Sequence, residues 1–545
     1  MQNKEIASRF TLLGKLLEIH GENAFKSRSY ANAGFQIKRL DKELAEMEPE
    51  QIGALKGIGT AIQSKIRELL DKGQMDTLDK WLSETPPGIV QMLSIKGLGA
   101  KKLGAIWKEL EVESPGELLY ACYENRLALL KGFGAKTQDN FIKAIEYFQE
   151  SAGFFHYASL EEAGFTLLEK LNTATSRVEL TGPFRRKAIT LECIELIADT
   201  QPDISLLENL DVKPELISGT YSGLPVKIHI SDNFEEDWFK STASEAHLKA
   251  LPENINFSAG EETAIYSSVG LSWIPPEMRE GIGEIQKAKG ELNSLLTDQD
   301  IKGVVHNHST YSDGGSSIEA MAEECVRLGY EYLVMSDHSK SAVYAGGLTV
   351  QAVEKQHREI EALNKSLAPF KIFKSIESDI LSNGSLDYDE DTLSSFDLVI
   401  ASVHSGLRMD EAKATDRLLK AIKNPYTTIL GHPTGRLLLS RAGYPVDYKT
   451  IIKACAEHNV ILELNSNPWR LDADYSWLPF AIEQGVQISI DPDAHALAGI
   501  KDIHWGVAAA RKGGISKSDT WNTKSLSEVE EWLYERAAVR KLATH

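Results

Sequence analysis

The stretch Gly303-Val-Val-His306-Asn-His308-Ser-Thr-Tyr-Ser-Asp313-Gly314 constrains this chain more than any other. An apolar run delivers two histidines two residues apart on an extended segment, so both imidazoles leave the same side of the backbone. Further ligand-type residues then arrive one at a time, each closing a short β-like run: Ser-Asp-His338, Ser-Ile-Glu377, Ala-Ser-Val-His404, Leu-Gly-His432 and Pro-Asp493-Ala-His495. A lone His or Glu is ordinarily a surface or satisfied residue. Six histidines and three carboxylates at strand ends are another matter, because a β/α barrel gathers the C-terminal ends of its strands around one opening. Imidazole and carboxylate together suit Zn, Mn or Fe(II), and a carboxylate can bridge two cations. The expectation is a barrel with a multi-metal site.

The same residues, in the contexts Ile-Glu377-Ser-Asp, Val-His404-Ser-Gly, Gly-His432-Pro and Asp493-Ala-His495, resemble the PHP (polymerase and histidinol phosphatase) domain, a distorted seven-stranded β/α barrel. All nine ligand positions of that pattern are filled, while the acidic residue often found two before the first His is Val304 here. The resemblance implies three divalent metal ions, Mn²⁺ or Zn²⁺, with Fe²⁺ as a further option. It assigns His306, His308, Glu377 and Asp493 to one metal, Asp313, His338 and His495 to a second, and Glu377, His404 and His432 to a third. Catalytic roles would fall on His306, His308, Asp313, Glu377 and Asp493. Asp337, beside His338, would orient a ligand imidazole. Arg470, in Asn465-Ser-Asn-Pro-Trp-Arg470-Leu-Asp472, would hold a phosphate or form a surface ion pair with Asp472.

Composition bounds what surrounds the barrel. With 545 residues and 42% hydrophobic content, the chain has room for three or four domains with real cores. No apolar run is long enough to span a bilayer and Met1-Gln-Asn-Lys opens no signal peptide, so a soluble, cytoplasmic protein without a membrane partner is expected. Cys122, Cys193, Cys325 and Cys455 lie far apart and read as reduced, buried thiols. A net charge of −20 argues at first against nucleic acid. Residues 1–150, however, hold 21 basic and 21 acidic residues, so the whole acidic excess lies beyond them. In an acidic barrel, bound cations would be the largest local charges and could still meet phosphates.

Residues 1–150 read as helices separated by glycine turns. Leu55-Lys-Gly57-Ile-Gly59, Ile95-Lys-Gly97-Leu-Gly99 and Leu130-Lys-Gly132-Phe-Gly134 repeat one pattern between amphipathic stretches such as Ala61 to Leu70 and Ala100 to Leu110. Two glycines flanking an apolar residue let the chain turn sharply and present amides at the next helix's N-terminus, where a DNA phosphate can be held without reading the base. One Gly-x-Gly is usually only a tight turn. Three copies, each preceded by Lys, point to helix-hairpin-helix units and to DNA bound through Gly57, Gly59, Gly97, Gly99, Gly132 and Gly134.

A wider resemblance follows. Asn3-Lys-Glu-Ile, Leu17-Glu-Ile-His-Gly-Glu-Asn-Ala-Phe, the glycine spacing, Ile265-Tyr, Val269-Gly-Leu, Ile274-Pro-Pro-Glu-Met-Arg-Glu and Asp298-Gln-Asp-Ile-Lys-Gly resemble bacterial family X DNA polymerases that end in a PHP domain. The implied fold is multidomain: an all-α helix-hairpin-helix N-terminal region (1–82, then a fingers-like 83–150), an α/β nucleotidyltransferase-like palm (151–240), a nucleotide-selecting subdomain and linker (241–300), and a distorted (β/α)7 barrel (301–545). Lys65 sits where some members place a Schiff-base lysine that cleaves an abasic sugar phosphate, though a solvated helix lysine is the favoured reading.

The palm departs from the family pattern. Gly182-Pro183-Phe184-Arg185-Arg186 keeps the frame of Gly-Ser-aromatic-Arg-Arg, but the Asp-x-Asp positions fall on Cys193 and Glu195 and the third Asp on His229. Two-metal nucleotidyl transfer needs converging oxygen ligands, so the polymerase site reads as degenerate. Glu192 and Asp232 would rescue it only if the strands were registered differently.

The function expected from this resemblance is a metal-dependent phosphodiesterase of DNA base-excision repair, a 3′-5′ exonuclease with abasic-site endonuclease as a further option, acting on gapped, single-stranded or abasic DNA regardless of sequence. Alternatives are an active polymerase with a proofreading exonuclease, a PHP small-molecule phosphatase, and a non-enzymatic repair scaffold. Oligomeric state stays open, with a monomer expected.

Overall fold

The amphipathic stretches of the first 150 residues fold as helices, each burying its apolar stripe. The computed structural model describes residues 1–110, 112–123, 126–151, 153–172, 176–290, 292, 294–439 and 442–543, and the chain divides into Met1–Ala152 and Gly153–His545. In the first unit, Asn3–His20, Ala24–Lys38 and Thr60–Lys72 share a core around Phe10, Leu13, Ile37, Ile62 and Ile66. Ala100–Leu110, Pro115–Tyr123 and Ala135–Ser151 share a second around Leu103, Ile106, Leu118 and Ile145.

Three turns in this unit are built alike. The N–H groups of Ile58, Leu98 and Phe133 donate to the carbonyls of Leu55, Ile95 and Leu130 at 3.1, 3.1 and 3.0 Å. Gly57, Gly97 and Gly132 lie at φ of 83°, 84° and 90°, where any side chain would be strained. Ile58 and Leu98 are buried, and Phe133 packs against the second core. The first glycine makes the turn and the apolar residue pins it.

The second unit opens with helix Tyr157–Leu171 over a five-stranded sheet. Its strands are β1 (Val178–Leu180), β2 (Ile194–Ala198), β3 (Glu208–Val212), β4 (Leu216–Tyr221) and β5 (Leu224–Ile230), in the order β1-β2-β5-β4-β3 with only β2 and β5 parallel. Short helices follow, with their own core of Phe239, Leu251, Ile265, Tyr266 and Ile274. One carboxylate anchors them: buried Glu262 receives Arg279 at 2.6 and 2.8 Å and Arg185 at 2.6 and 3.0 Å, both bidentate. Burial raises the Glu262 carboxyl, but the two guanidinium groups outweigh it and hold it at about 2. Its stabilisation is therefore complete above the ordinary 4.5 and lost as pH falls toward about 2. Glu262→Gln is expected to cost about 3 kcal/mol at pH 7 in urea unfolding, and the gap from wild type should narrow as the titration moves below pH ~4.5.

Residues 303–491 form the barrel: β6 (Gly303–Asn307), β7 (Tyr332–Met335), β8 (Lys371–Asp379), β9 (Leu398–Ser402), β10 (Ile429–Leu430), β11 (Ile461–Asn465) and β12 (Ile488–Asp491). Each pairs in parallel with the next. Most strand residues are buried, as expected when helices cover a sheet whose other face is enclosed. β12 comes back to β6 through a parallel bridge between Asn307 and Ala494 and the His308 N–H to Ala494 carbonyl bond of 2.9 Å, so the seven strands nearly close.

Buried Lys512 ties the barrel to the small sheet, donating to the Arg186 carbonyl at 2.8 Å and to Glu280 at 2.5 Å. All four cysteines are free and buried. Among the described residues, no helix is long and apolar enough to cross a membrane.

Candidate metal centre

The C-terminal ends of the barrel strands converge, and the nine ligand-type residues read from the sequence meet there. Glu377, at the end of β8, is the hub. Its Oε1 lies 3.1 Å from His306 Nε2, 3.0 Å from His404 Nε2 and 2.9 Å from His432 Nε2, and its Oε2 lies 2.9 Å from His338 Nδ1. Asp493 Oδ1 is 3.1 Å from His308 Nε2 and 3.6 Å from His495 Nδ1. Asp313 Oδ1 is 3.3 Å from His495 Nε2 and 3.6 Å from His338 Nε2. His306, His308 and Glu377 are buried, whereas Asp313 and His495 stand at the mouth, 32% and 41% exposed.

These spacings are those of ligands aimed at shared points. Donors about 2.1 Å from a tetrahedral metal lie about 3.4 Å from one another. His306 Nε2, both nitrogens of His308, His432 Nδ1 and Glu377 Oε2 are buried without a hydrogen bond of acceptable geometry, a costly state unless something else satisfies them. The donor atoms fall into four overlapping groups: His308, Asp313, His338 and His495; His306, Glu377 and His432; His306, His308 and Asp493; and His338, Glu377 and His404. The groups overlap on Glu377, whose Oε1 lies near both His404 Nε2 and His432 Nε2 while its Oε2 meets His338 Nδ1.

Charges inside the cluster fix its protons. Burial raises Glu377, but His404, His306 and His338 outweigh it and hold the carboxyl well below its usual range. Burial lowers His306, and Glu463, Glu377 and Asp493 more than reverse this. His308 is pushed down to about 3 by burial and by His495 and His338. Such a cluster offers some imidazoles already neutral and others whose protons a cation would displace. His306 and Asp493 adopt left-handed φ of 60° and 51°, a strain of about 1–3 kcal/mol each that persists only where the surroundings impose it.

The sequence reading missed residues behind this set. Glu463, on β11, accepts from His306 Nδ1 at 2.7 Å, which leaves Nε2 for the cluster. Asp379 does the same for His404 Nδ1. The signal was present in both cases: Asp379 is two residues after Glu377 on one strand, and Glu463 is a lone carboxylate within the apolar run Val460-Ile-Leu-Glu463-Leu464. Two expectations need correction. Asp337 touches no imidazole; its carboxylate accepts from Ser309, Ser312 and Gln356 and holds the loop after β6. Arg470 does not pair with Asp472, whose carboxylate is taken by Thr434. It turns inward instead, its Nε 3.7 Å from Asp493 Oδ2.

Residues 305–467 match the PHP domain, 1–75 a helix-hairpin-helix domain, and 89–146 a SAM-like helix-hairpin-helix tandem. A DNA polymerase/3′-5′ exonuclease PolX of Bacillus subtilis (strain 168) is 34% identical over 98% of this chain and 99% of its own length. The chain belongs to the PolX family. Probable phosphatases of Thermoanaerobacter sp. (strain X514) and Caldanaerobacter subterraneus are 26% and 25% identical, each over 42% of the chain and 94% and 90% of their own lengths.

Within this PolX chain, the six hairpin glycines divide into two kinds. Gly57, Gly97 and Gly132 are required by φ, but at Gly59, Gly99 and Gly134 an added Cβ would meet nothing within 4 Å. Gly59 has an ordinary φ of −80° at the N-terminus of Thr60–Lys72, so neither packing nor conformation demands glycine there. Lys65 donates to Thr77 Oγ1 at 2.5 Å and is thus held by the fold.

In the small sheet, Cys193 lies just before β2 rather than within it, Glu195 is on β2 and His229 on β5. Glu195 is registered directly opposite Lys227. Glu192 is 59% exposed and 3.7 Å from Lys227, its charge adding to the burial that raises the Glu195 carboxyl, and Asp232 is exposed. Among the described residues, the convergent His, Cys, Asp and Glu groups all lie in the barrel.

Proposed function

We propose that this protein is a metal-dependent 3′-5′ exonuclease of DNA repair, working from the barrel, with helix-hairpin-helix units that hold DNA and a palm that no longer polymerises. The observation that carries it is the convergence of nine imidazole and carboxylate groups, several buried without hydrogen bonds, in a chain that also has three glycine turns built to one pattern. Divalent cations, Mn²⁺ or Zn²⁺ with Fe²⁺ also fitting the donors, would be held by His306, His308, Glu377 and Asp493, by Asp313, His338 and His495, and by Glu377, His404 and His432. When bound they would polarise a phosphoryl oxygen and neutralise its charge. The chain's own residues do the rest. Glu463 and Asp379 fix the tautomers of His306 and His404, and Arg470 beside Asp493 is placed to meet a phosphate entering the mouth. Abasic-site cleavage falls within the same phosphodiester chemistry, and the four buried free thiols suit a cytoplasmic compartment.

The small-molecule phosphatase reading is weaker, because those relatives cover only 42% of the chain and the glycine turns have no use in that reaction. At the turns, open space at Gly59, Gly99 and Gly134 would let a DNA backbone approach the amides. The test is cleavage of a 5′-labelled oligonucleotide and of bis(p-nitrophenyl) phosphate with Mn²⁺, comparing wild type with the triple variant Gly59→Val, Gly99→Val, Gly134→Val. Wild type should shorten the strand from its 3′ end, with binding that weakens as salt rises. The variant should lose DNA affinity on the order of 10- to 100-fold, yet keep its melting temperature and its activity on the small diester. An intact oligonucleotide with wild type would overturn the exonuclease, and unchanged affinity in the variant would make the turns architectural.

A further inference from the structure

The loop after β11 carries an exposed tryptophan on the backbone that also feeds the metal centre. Asn465 Nδ2 donates to Glu463 Oε1 at 2.9 Å and to Asp493 Oδ2 at 3.2 Å. Its Oδ1 accepts from the Asn467 N–H at 3.1 Å, and Asn467 Oδ1 accepts in turn from the Trp469 N–H at 3.0 Å. The Trp469 carbonyl accepts from the Leu438 N–H at 2.7 Å. Trp469 is therefore tied on both sides of its Cα, and one of those ties runs through two side chains to Asp493.

Its ring is held as firmly as its backbone. His156 packs against it with ring centroids 4.1 Å apart, while half of the residue stays open to solvent. Leaving that much aromatic surface in water is unfavourable, and Trp469 belongs to neither hydrophobic cluster of the barrel. The next residue points the other way: Arg470 Nε sits 3.7 Å from Asp493 Oδ2. Two consecutive residues thus carry a cation beside Asp493 and a half-exposed π surface packed on one ring.

That pairing has a ligand chemistry. A nucleotide is a phosphate joined through a sugar to an aromatic base. With its phosphate drawn toward Arg470 and the buried imidazoles, its base is left near the rim, and indole stacking satisfies a base of any identity. A paired 3′-terminal base is held by its partner and by the base beneath it, so swinging it onto the indole costs unpairing, a cost that an unpaired base does not incur. We propose that Trp469 is the stacking platform for an unpaired nucleobase at the 3′ end of DNA, and that it sets the preference for single-stranded or frayed ends. This rests on the exonuclease reading of the barrel.

The test uses the full chain with Mn²⁺ and the variants W469A, W469L and W469F. Both W469A and W469L should raise KM for a single-stranded oligonucleotide on the order of 10- to 100-fold. W469F, which restores a π face, should recover most of the loss. 2-Aminopurine at the 3′ end should be quenched on binding wild type and W469F but not W469A or W469L. An oligonucleotide whose last 3′ nucleotides lack bases should show one KM for wild type and W469A. An unchanged KM in W469A, a W469L that behaves as W469F, or an equal loss on the base-free strand would overturn the platform. Failure of the exonuclease reading looks different: wild type then cleaves the small diester and leaves DNA intact, and both proposals fall.

Discussion

Replacing His306 and His308 together by alanine is expected to lower DNA hydrolysis on the order of 10⁴-fold or more, because the Lewis-acid contribution of bound cations disappears with the ligands that hold them. The size of the effect follows from where the two rings sit. His306 Nε2 faces Glu377 and its Nδ1 is held by Glu463, while His308 Nε2 faces Asp493. Removing both rings takes His306 from the group with Glu377 and His432, both imidazoles from the group with Asp493, and His308 from the group with Asp313, His338 and His495. Metal content measured on the purified protein should fall together with activity. DNA affinity, expected to come from the helical unit, should stay near the wild-type value. Undiminished hydrolysis in the double variant would end the metal-nuclease reading.

Much of this centre was legible in the sequence because its first layer obeys a simple rule. A strand that ends at an opening places its last residues there, so His306, Glu377, His404, His432 and Asp493 each announce themselves as polar residues closing an apolar run. The supporting layer obeys a weaker one. Glu463 and Asp379 look like the others locally, and only the closing of the barrel decides that they reach Nδ1 atoms rather than the shared points between the rings. Asp337 shows the opposite failure: adjacency to His338 suggested an orienting carboxylate, but neighbours on an extended chain face opposite ways, and its partners are the hydroxyls of Ser309 and Ser312. Arg470 escaped for a similar reason, since the tight turn at Leu471, with φ of 44°, swings Asp472 away toward Thr434. In the helical unit, sequence repetition located the three turns, but only the empty space beyond Gly59, Gly99 and Gly134 separates glycines needed by the fold from glycines that leave room for a ligand.

Primer extension is expected to be absent, although the palm keeps its fold. The sheet aligns Cys193, Glu195, Lys227 and His229 on one face, by the two-residue period of each strand and the direct register of Glu195 with Lys227. A site for two cations needs converging oxygens and room for positive charge. This face offers one partly buried carboxylate, on the residue in register with Lys227, whose ammonium lies 3.7 Å from the exposed Glu192. Glu195 is packed against the turn before it, where a Cβ on Gly182 would lie 1.9 Å from Glu195 Oε2, and burial raises its carboxyl. Burial also pushes the Cys193 thiol up to about 12, so no thiolate forms, and burial with Lys227 lowers His229, which stays neutral. The arginines that would meet a triphosphate are engaged elsewhere, Arg185 by Glu262 and Arg186 by Glu280 and the Thr242 carbonyl. Losing the cations that neutralise the transferring phosphoryl group should leave extension below detection, a fall of at least ~10³-fold relative to an active palm. The measurement is extension of a gapped primer with Mg²⁺ or Mn²⁺, run on the His306→Ala, His308→Ala protein so that the nuclease cannot erase product. Product that appears there and vanishes on adding Glu195→Ala would show that the palm is live, with Glu195 holding a cation despite Lys227.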